Sequence, residues 1–498
     1  MSKRVIIHPL KTGVQGLDDI LSGGIPEYSF NLISGSPGSG KTTLCHQIMF
    51  ALATPERPAL FFTAFGEPPL KMLRYQQQFT FFDSDKINES IHFINLSEEA
   101  ATGNFDQVLA RITQEIEAYS PALVFVDSFR SVLREAEHQP EDAINLQRFL
   151  QLLGLQLTGW QATTFLIGDF LSDSGSHQIL TVADGLLSLE QSVERNSMVR
   201  KMQVMKMRGQ ATLPGKHAFR ISSDGINVFP ASIAHKGPED VGEASEALFS
   251  KKRVAMGVPR LDDMLGGGLP SGHSLLIAGP TGSGKTILAT AFLAEGARLG
   301  EHGVIVAFEQ TPGPSWLRRL GDMIQGKQVG LINLRALDLS VDEIIQRVTH
   351  LIKERKTTRV VIDSLSGFEL AVAPTFREDF RESLFRMIRI LSGLGVTVLM
   401  TSELEDRYTD LRFSPYGSAF LTDAIIVQRY IEVESCLQRV MAVVKVRASS
   451  HSTEIRRFDI TDEGIVIGDR VSDFEGILGG QPTRKKQPNA LSEVRRDE

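Results

Sequence analysis

The octapeptide Gly35-Ser36-Pro37-Gly38-Ser39-Gly40-Lys41-Thr42 fits the pattern G-x-x-x-x-G-K-[ST], and Gly279-Pro280-Thr281-Gly282-Ser283-Gly284-Lys285-Thr286 fits it again. Glycines at this spacing let backbone N–H groups wrap phosphate oxygens. The helix that follows adds positive potential at its N-terminus, and the lysine reaches the terminal phosphates. The triphosphate-binding set predicted from the first loop is Gly38, Ser39, Gly40, Lys41, Thr42 and Thr43. From the second it is Gly282, Ser283, Gly284, Lys285, Thr286 and Ile287. A Gly-rich turn would match once by accident in a small minority of chains. Two matches, each between an apolar run and a helix-like segment, indicate two nucleotide sites.

Three further sets of residues complete that chemistry. The apolar run Leu123-Val124-Phe125-Val126 stops on Asp127, and Val360-Val361-Ile362 stops on Asp363, with Ser next in both. A strand-ending Asp is ordinarily a turn former. Downstream of a phosphate loop it is the Walker B arrangement, in which the carboxylate and the loop hydroxyl of Thr42 or Thr286 hold Mg²⁺. Hydrolysis also needs a group to orient the attacking water. Glu67, in Phe65-Gly66-Glu67-Pro68, and Glu309, in Phe308-Glu309-Gln310-Thr311-Pro312, stand after equivalent strands and are the candidates, with Lys41 and Lys285 to neutralise the transferring charge. Late in each half come Lys206-Met207-Arg208 and Lys445-Val446-Arg447. Alternation along a strand puts both cations of each pair on one face. A charged edge strand and a pair of cations reaching a neighbouring subunit's phosphates fit that spacing equally.

The elements that must position these residues repeat as well. Gly13-Val14-Gln15-Gly16-Leu17-Asp18-Asp19 answers to Gly257-Val258-Pro259-Arg260-Leu261-Asp262-Asp263, and Gly23-Gly24-Ile25-Pro26 to Gly267-Gly268-Leu269-Pro270. Lys41 and Lys285 keep the same offset, and it drifts by only a few residues as far as Lys206 and Lys445. Such a period is far longer than a solenoid repeat, so each copy is expected to fold by itself. Strands are predicted at 59–63, 122–126 and 163–167, with helices at 105–119 and 146–157, and then strands joined by turns at 185–190, 198–207 and 219–229. The second copy repeats this with strands at 304–308, 360–362, 396–400, 424–430 and 437–446 and helices at 339–353 and 380–394. The expected class is α/β: two tandem P-loop NTPase domains, each a mostly parallel sheet flanked by helices with a C-terminal antiparallel extension. The expected domains are 1–230 and 254–470, joined by a linker over 231–253 in which 244–249 could form a helical turn. A polar tail follows over 471–498.

The 498 residues suffice for two or three domains, and 42% hydrophobic with 23% charged residues is ordinary for a globular protein. A net charge of −7 offers no global attraction to nucleic acid or to an anionic membrane. Cys45 and Cys436 sit one in each half and suit reduced thiols. The N-terminal apolar run is too short for a signal peptide and no apolar stretch is long enough to span a membrane, so a cytoplasmic protein is expected.

Taken together, the opening Thr-Gly-Val-x-Gly-Leu-Asp-Asp, Gly-Gly-Ile-Pro, the P-loop, Phe-x-Glu-x-Pro, the apolar-Asp-Ser strand end and the closing Lys-x-Arg resemble the KaiC group of the RecA-like P-loop ATPases. The resemblance spans nearly the whole chain, including Gly-Gly-Gln-Pro-Thr-Arg near its end. It implies a homohexamer of two stacked rings with ATP between adjacent protomers, and Lys206, Arg208, Lys445 and Arg447 acting in trans. It also implies a small KaiB-like regulatory protein as a partner, and autophosphorylation of the second domain in the clock member of the group.

Several residues depart from the group's pattern. Where the group has two adjacent glutamates, this chain has Gly66-Glu67 and Glu309-Gln310, so each domain keeps one, at different positions of the pair. Ala419 and Phe420 occupy the positions of the clock member's Ser-Thr acceptors and cannot take a phosphoryl group; Ser418 and Thr422 remain as nearby hydroxyls. Arg447 is followed by Ala448 rather than Gly, which should alter the turn after that strand. The reading is a KaiC-type, Mg²⁺-dependent ring ATPase with a regulatory or signalling role. A Ser/Thr autokinase, a nucleotide-gated scaffold with little turnover and a RecA-like DNA-processing protein are its rivals. The last would need basic or aromatic DNA-facing loops, and the sequence shows no such cluster.

Overall fold

The computed structural model describes residues 7–231 and 252–484, apart from 64–68, 102–104, most of 128–160, 171–176, 195–196, 309–313, 335–338, 373–379, 405–420, 434, 473 and 478–482. The chain forms two compact units, Met1–Ala231 and Ser232–Glu498. In the first, nine strands make one sheet: β1 (Phe30–Gly35), β2 (Ala59–Thr63), β3 (Ile91–Asn95), β4 (Leu123–Asp127), β5 (Thr163–Gly168), β6 (Gly185–Glu194), β7 (Ser197–Met207), β8 (Lys216–Ser222) and β9 (Gly225–Phe229). Their order is β9-β8-β7-β6-β1-β5-β4-β2-β3. The second unit has β10 (Ser274–Gly279), β11 (Gly303–Ala307), β12 (Val329–Asn333), β13 (Arg359–Asp363), β14 (Thr397–Glu403), β15 (Ala424–Val433), β16 (Cys436–Val446), β17 (Arg456–Thr461) and β18 (Gly464–Arg470). Their order, β18-β17-β16-β15-β10-β14-β13-β11-β12, is the same strand for strand.

In both sheets the six strands on one side pair in parallel, and the last four from β6 or β15 pair antiparallel. This is the expected tandem RecA-like α/β class. Burial explains the unbroken apolar runs. In β4, Leu123 and Phe125 pack with helix α1 (Lys41–Leu52) on one face, while Val124 and Val126 pack with Val108, Ile112 and Ile116 of α2 (Phe105–Tyr119) on the other. A strand covered on both sides has no polar face to show. β13 repeats the arrangement, with Val361 facing α3 (Lys285–Arg298) and Val360 and Ile362 facing α4 (Val341–Arg355) and α5 (Phe380–Gly393). The Ser340 hydroxyl caps α4 by accepting from the Glu343 amide at 3.1 Å, which starts the helix two residues later than its periodicity suggests.

Three expectations are refined. The far-edge strands β3 and β12 are additional to those read from sequence. Helix 146–157 and the 244–249 turn lie largely or wholly outside the described residues. The turn after Arg447 is not altered in shape, because Ala448 takes a left-handed φ of 53°, as Gly209 does at 83° in the first unit. Holding a Cβ there costs about 1 kcal/mol.

Candidate nucleotide sites at the two phosphate loops

Each phosphate loop leaves the carboxyl end of the central strand of its sheet. β1 ends on Gly35 and β10 on Gly279. The loops turn through Gly40 (φ 101°) and Gly284 (φ 93°), where only glycine is comfortable. A Cβ on Gly40 would also come within 2.8 Å of Ile221, and one on Gly284 within 3.0 Å of Ile460. Neither glycine offers a side chain to cap the helix behind it, so the first amides of α1 and α3 face the loop. Thr43 and Ile287 lie in those first turns. Lys41 Nζ donates to the carbonyls of Gly35 (2.7 Å) and Ser36 (2.9 Å), and Lys285 Nζ to those of Gly279 (2.9 Å) and Pro280 (2.8 Å). Both lysines therefore curl back over their own loops.

Across the sheet, β4 brings Asp127 to the first loop and β13 brings Asp363 to the second. Thr42 Oγ1 donates to Asp127 Oδ2 at 2.6 Å, and Thr286 Oγ1 to Asp363 Oδ2 at 2.9 Å. Burial pushes the Asp127 carboxyl above its usual range, although the Thr42 hydrogen bond and the Lys41 charge pull the other way. A carboxylate whose charged form burial disfavours gains from a cation beside it. The donor set of one carboxylate and one hydroxyl fits Mg²⁺, which keeps several waters and binds largely through substrate phosphates. Thr42 with Asp127, and Thr286 with Asp363, are the pairs that would hold it.

The loops are braced differently. In the second unit Ser283 Oγ donates to Gln428 Oε1 at 3.0 Å, and the Thr281 hydroxyl bonds to Glu403 at the end of β14. In the first unit Leu189 stands at the Gln428 position, and Ser39 Oγ is buried with no hydrogen-bond partner among the described residues. There Gln191 Nε2 steadies the loop from the side, donating to the Pro37 carbonyl at 3.2 Å. Sequence reading missed Gln428, Thr401 and Glu403, because no local motif marks them.

The Lys-x-Arg pairs stand elsewhere. Lys206 Nζ donates to the carbonyls of Leu180 (3.0 Å) and Thr181 (3.1 Å), and Arg208 reaches Asp184 Oδ1 (3.3 Å) and the Thr181 carbonyl (3.0 Å). Lys445 Nζ donates to the Thr422 carbonyl at 2.5 Å, and Arg447 to Asp423 Oδ1 at 3.4 Å. Asp184 Oδ2 also accepts from the Phe30 amide, and Asp423 Oδ2 from that of Ser274, so each Asp ties its arginine to the start of the central strand. Burial lowers the pKa of both lysines, with the neighbouring arginines adding to the shift. Of the two candidate acceptors, Thr422 is buried and its hydroxyl has no hydrogen-bond partner among the described residues, and Ser418 lies outside them, as do Glu67 and Glu309.

Two RecA-like sheets of identical order, each ending its central strand in a phosphate loop faced by a strand-ending Asp, define a tandem P-loop ATPase. A family model described as "ATPase: KaiC" matches residues 10–233 and again 254–472. The chain belongs to the KaiC family. It is 28% identical to the circadian clock oscillator protein KaiC of Prochlorococcus marinus, over 98% of this chain and 98% of that protein. The protein of the same name from Rippkaea orientalis is also 28% identical, over 98% and 94%. That of Picosynechococcus is 27% identical over 96% and 93%. Among the described residues no helix is long and apolar enough to cross a membrane.

Proposed function

We propose that the chain is an Mg²⁺-dependent ATPase that acts in the cytoplasm as a homohexameric regulatory or signalling ring, with one ATP per domain held between neighbouring subunits. The observation that carries this is the same hydroxyl–carboxylate pair, Thr42 with Asp127 and Thr286 with Asp363, at both phosphate loops. When bound, Mg²⁺ would draw charge from the β- and γ-phosphate oxygens. Lys41 and Lys285 would leave their loop carbonyls for the phosphates, since a charged acceptor offers the stronger hydrogen bond. Glu67 and Glu309 would orient the attacking water. Lys206, Arg208, Lys445 and Arg447 would act on the neighbour's nucleotide, and a small KaiB-like protein is the expected partner.

Burial of the Thr422 hydroxyl favours water over that side chain as phosphoryl acceptor. Phosphate release measured with and without Mg²⁺, together with native mass after ATP incubation, tests the reading. Release at background in Mg²⁺ would leave a nucleotide-gated scaffold, and phosphopeptides carrying Ser418 or Thr422 would favour the autokinase.

A further inference from the structure

β14 lies between the loop strand β10 and the Asp363 strand β13, so its carboxyl end passes under the space that the phosphate loop and Asp363 share. Two of its residues, two apart and therefore on one face, reach into the site. Thr401 Oγ1 donates to Asp363 Oδ1 at 2.5 Å. Glu403 pairs in register with Gly279 and bonds to the Thr281 hydroxyl of the loop. With Thr286 on Oδ2, both oxygens of Asp363 are held by hydroxyl donors from opposite sides.

The first unit lacks this arrangement. The register of β5 on β1 places Ile167 beside Ile33, as β14 places Thr401 beside Ile277. Ile167 is fully buried and has no hydroxyl to give. Among the described residues, Thr42 alone supplies a hydroxyl to Asp127. The Thr281 position is Pro37 in the first loop, which has no hydroxyl either.

We propose that Thr401 is a positioning residue that fixes the rotamer of Asp363 for a divalent cation, so that the second site is set for the cation before nucleotide arrives and the first is not. The second hydroxyl restricts rotation of Asp363 about its Cα–Cβ and Cβ–Cγ bonds beyond what Thr286 alone achieves, and a ligand already in its bound orientation loses less entropy when the ion arrives. The inference rests on the functional reading above and deepens it.

The test uses the full-length chain with Lys41→Ala to silence the first site, a fluorescent ATP analogue as probe, and titration with Mg²⁺ alone. Thr401→Val should raise the Mg²⁺ concentration for half-maximal probe binding about tenfold, the scale of a lost hydrogen bond to a charged group. Probe affinity in EDTA should stay within about twofold, and Thr401→Ser should restore the wild-type midpoint. In the reciprocal Lys285→Ala chain, Ile167→Thr should lower the Mg²⁺ midpoint of the first site. Equal loss of affinity with and without Mg²⁺, or an unchanged midpoint in the valine variant, would overturn the positioning role while leaving the nucleotide site standing. Absence of probe binding to the wild-type chain would overturn the site itself.

Discussion

Lys206 stands at the opposite end of its sheet from Lys41. It pairs with Leu186 and its amine hydrogen-bonds near the start of β6, while Lys41 opens the helix after the carboxyl end of β1. The five steps from Phe30 to Gly35 span roughly 16 Å. Neither Lys206 nor Arg208, whose amide bonds to the Asp184 carbonyl beside Phe30, approaches its own phosphate loop. The same separation divides Lys445 and Arg447 from Lys285. If these cations serve a phosphate, it is not the one on their own unit's loop.

Complementation follows from that separation. Arg208→Ala and Lys41→Ala should each abolish turnover at the first site when present in every subunit, with Arg208→Ala lowering its kcat about 1,000-fold. Mixed assemblies of the two variants should recover activity, because some interfaces then join an intact loop to an intact arginine. Phosphate release measured across mixing ratios checks this, and mixtures no more active than the two variants measured separately would exclude a trans role.

Nucleotide stoichiometry separates the two loops. Lys41→Ala and Lys285→Ala should each remove one of the two bound nucleotides per chain, read by equilibrium binding of radiolabelled ATP. Lys41→Ala should also weaken assembly if nucleotide bridges subunits, and an unchanged native mass in that variant without excess ATP would contradict bridging.

His46 gives a pH dependence with a definite sign. It sits on α1 one turn past Thr42, fully buried against Phe61 and Phe93. Burial pushes its pKa down to about 4, with the neighbouring Gln76 side chain opposing the shift only in part. The unfolded chain therefore binds this proton first as pH falls from its ordinary value near 6.5. Stability is full above about 6.5 and declines towards pH 4, by about 3 kcal/mol in all. His46→Phe should flatten the midpoint of denaturant unfolding across that window, provided it folds; His46→Gln serves as the smaller replacement.

The second unit rests on a buried ion pair. Arg359, 1% exposed, donates to Glu301 Oε2 at 2.7 Å and to the carbonyls of Ala255 (2.7 Å) and Phe292 (2.8 Å), and lies over the Phe292 ring. Arg359→Leu leaves two carbonyls without their donor and Glu301 with only Lys252 and Thr358 beside it, and should cost about 3 kcal/mol. Urea unfolding should show the loss in the transition of the second unit.

Much of this was legible in the chain itself. The phosphate loops and the strands ending on Asp127 and Asp363 carry their signal locally, as glycine spacing and as apolar runs, and the duplication lets one copy check the other. β3 and β12 escaped because Ile91–Asn95 and Val329–Asn333 are short and mixed in polarity, as suits strands at a sheet edge. Arg359 escaped because an arginine opening a strand ordinarily faces water. Thr401 could not be found by motif at all. Its meaning comes from register, since only the pairing of β14 with β10 and β13 places it against Asp363 and its counterpart Ile167 in the same spot beside Asp127.

With its phosphate loop at one end of the sheet and its cations at the other, each unit has a head and a tail. Two copies related by a two-fold axis could join head to tail only through an interface that runs the length of the sheet and makes the contact twice. A simple head-to-tail contact needs one end of each copy, and is heterologous. If the arginines act in trans as proposed, any open row built that way keeps one unserved nucleotide at its end. Under that proposal only closure into a ring would give every bound phosphate a neighbour's arginine, and the polarity of one sheet then suits a closed ring of more than two copies.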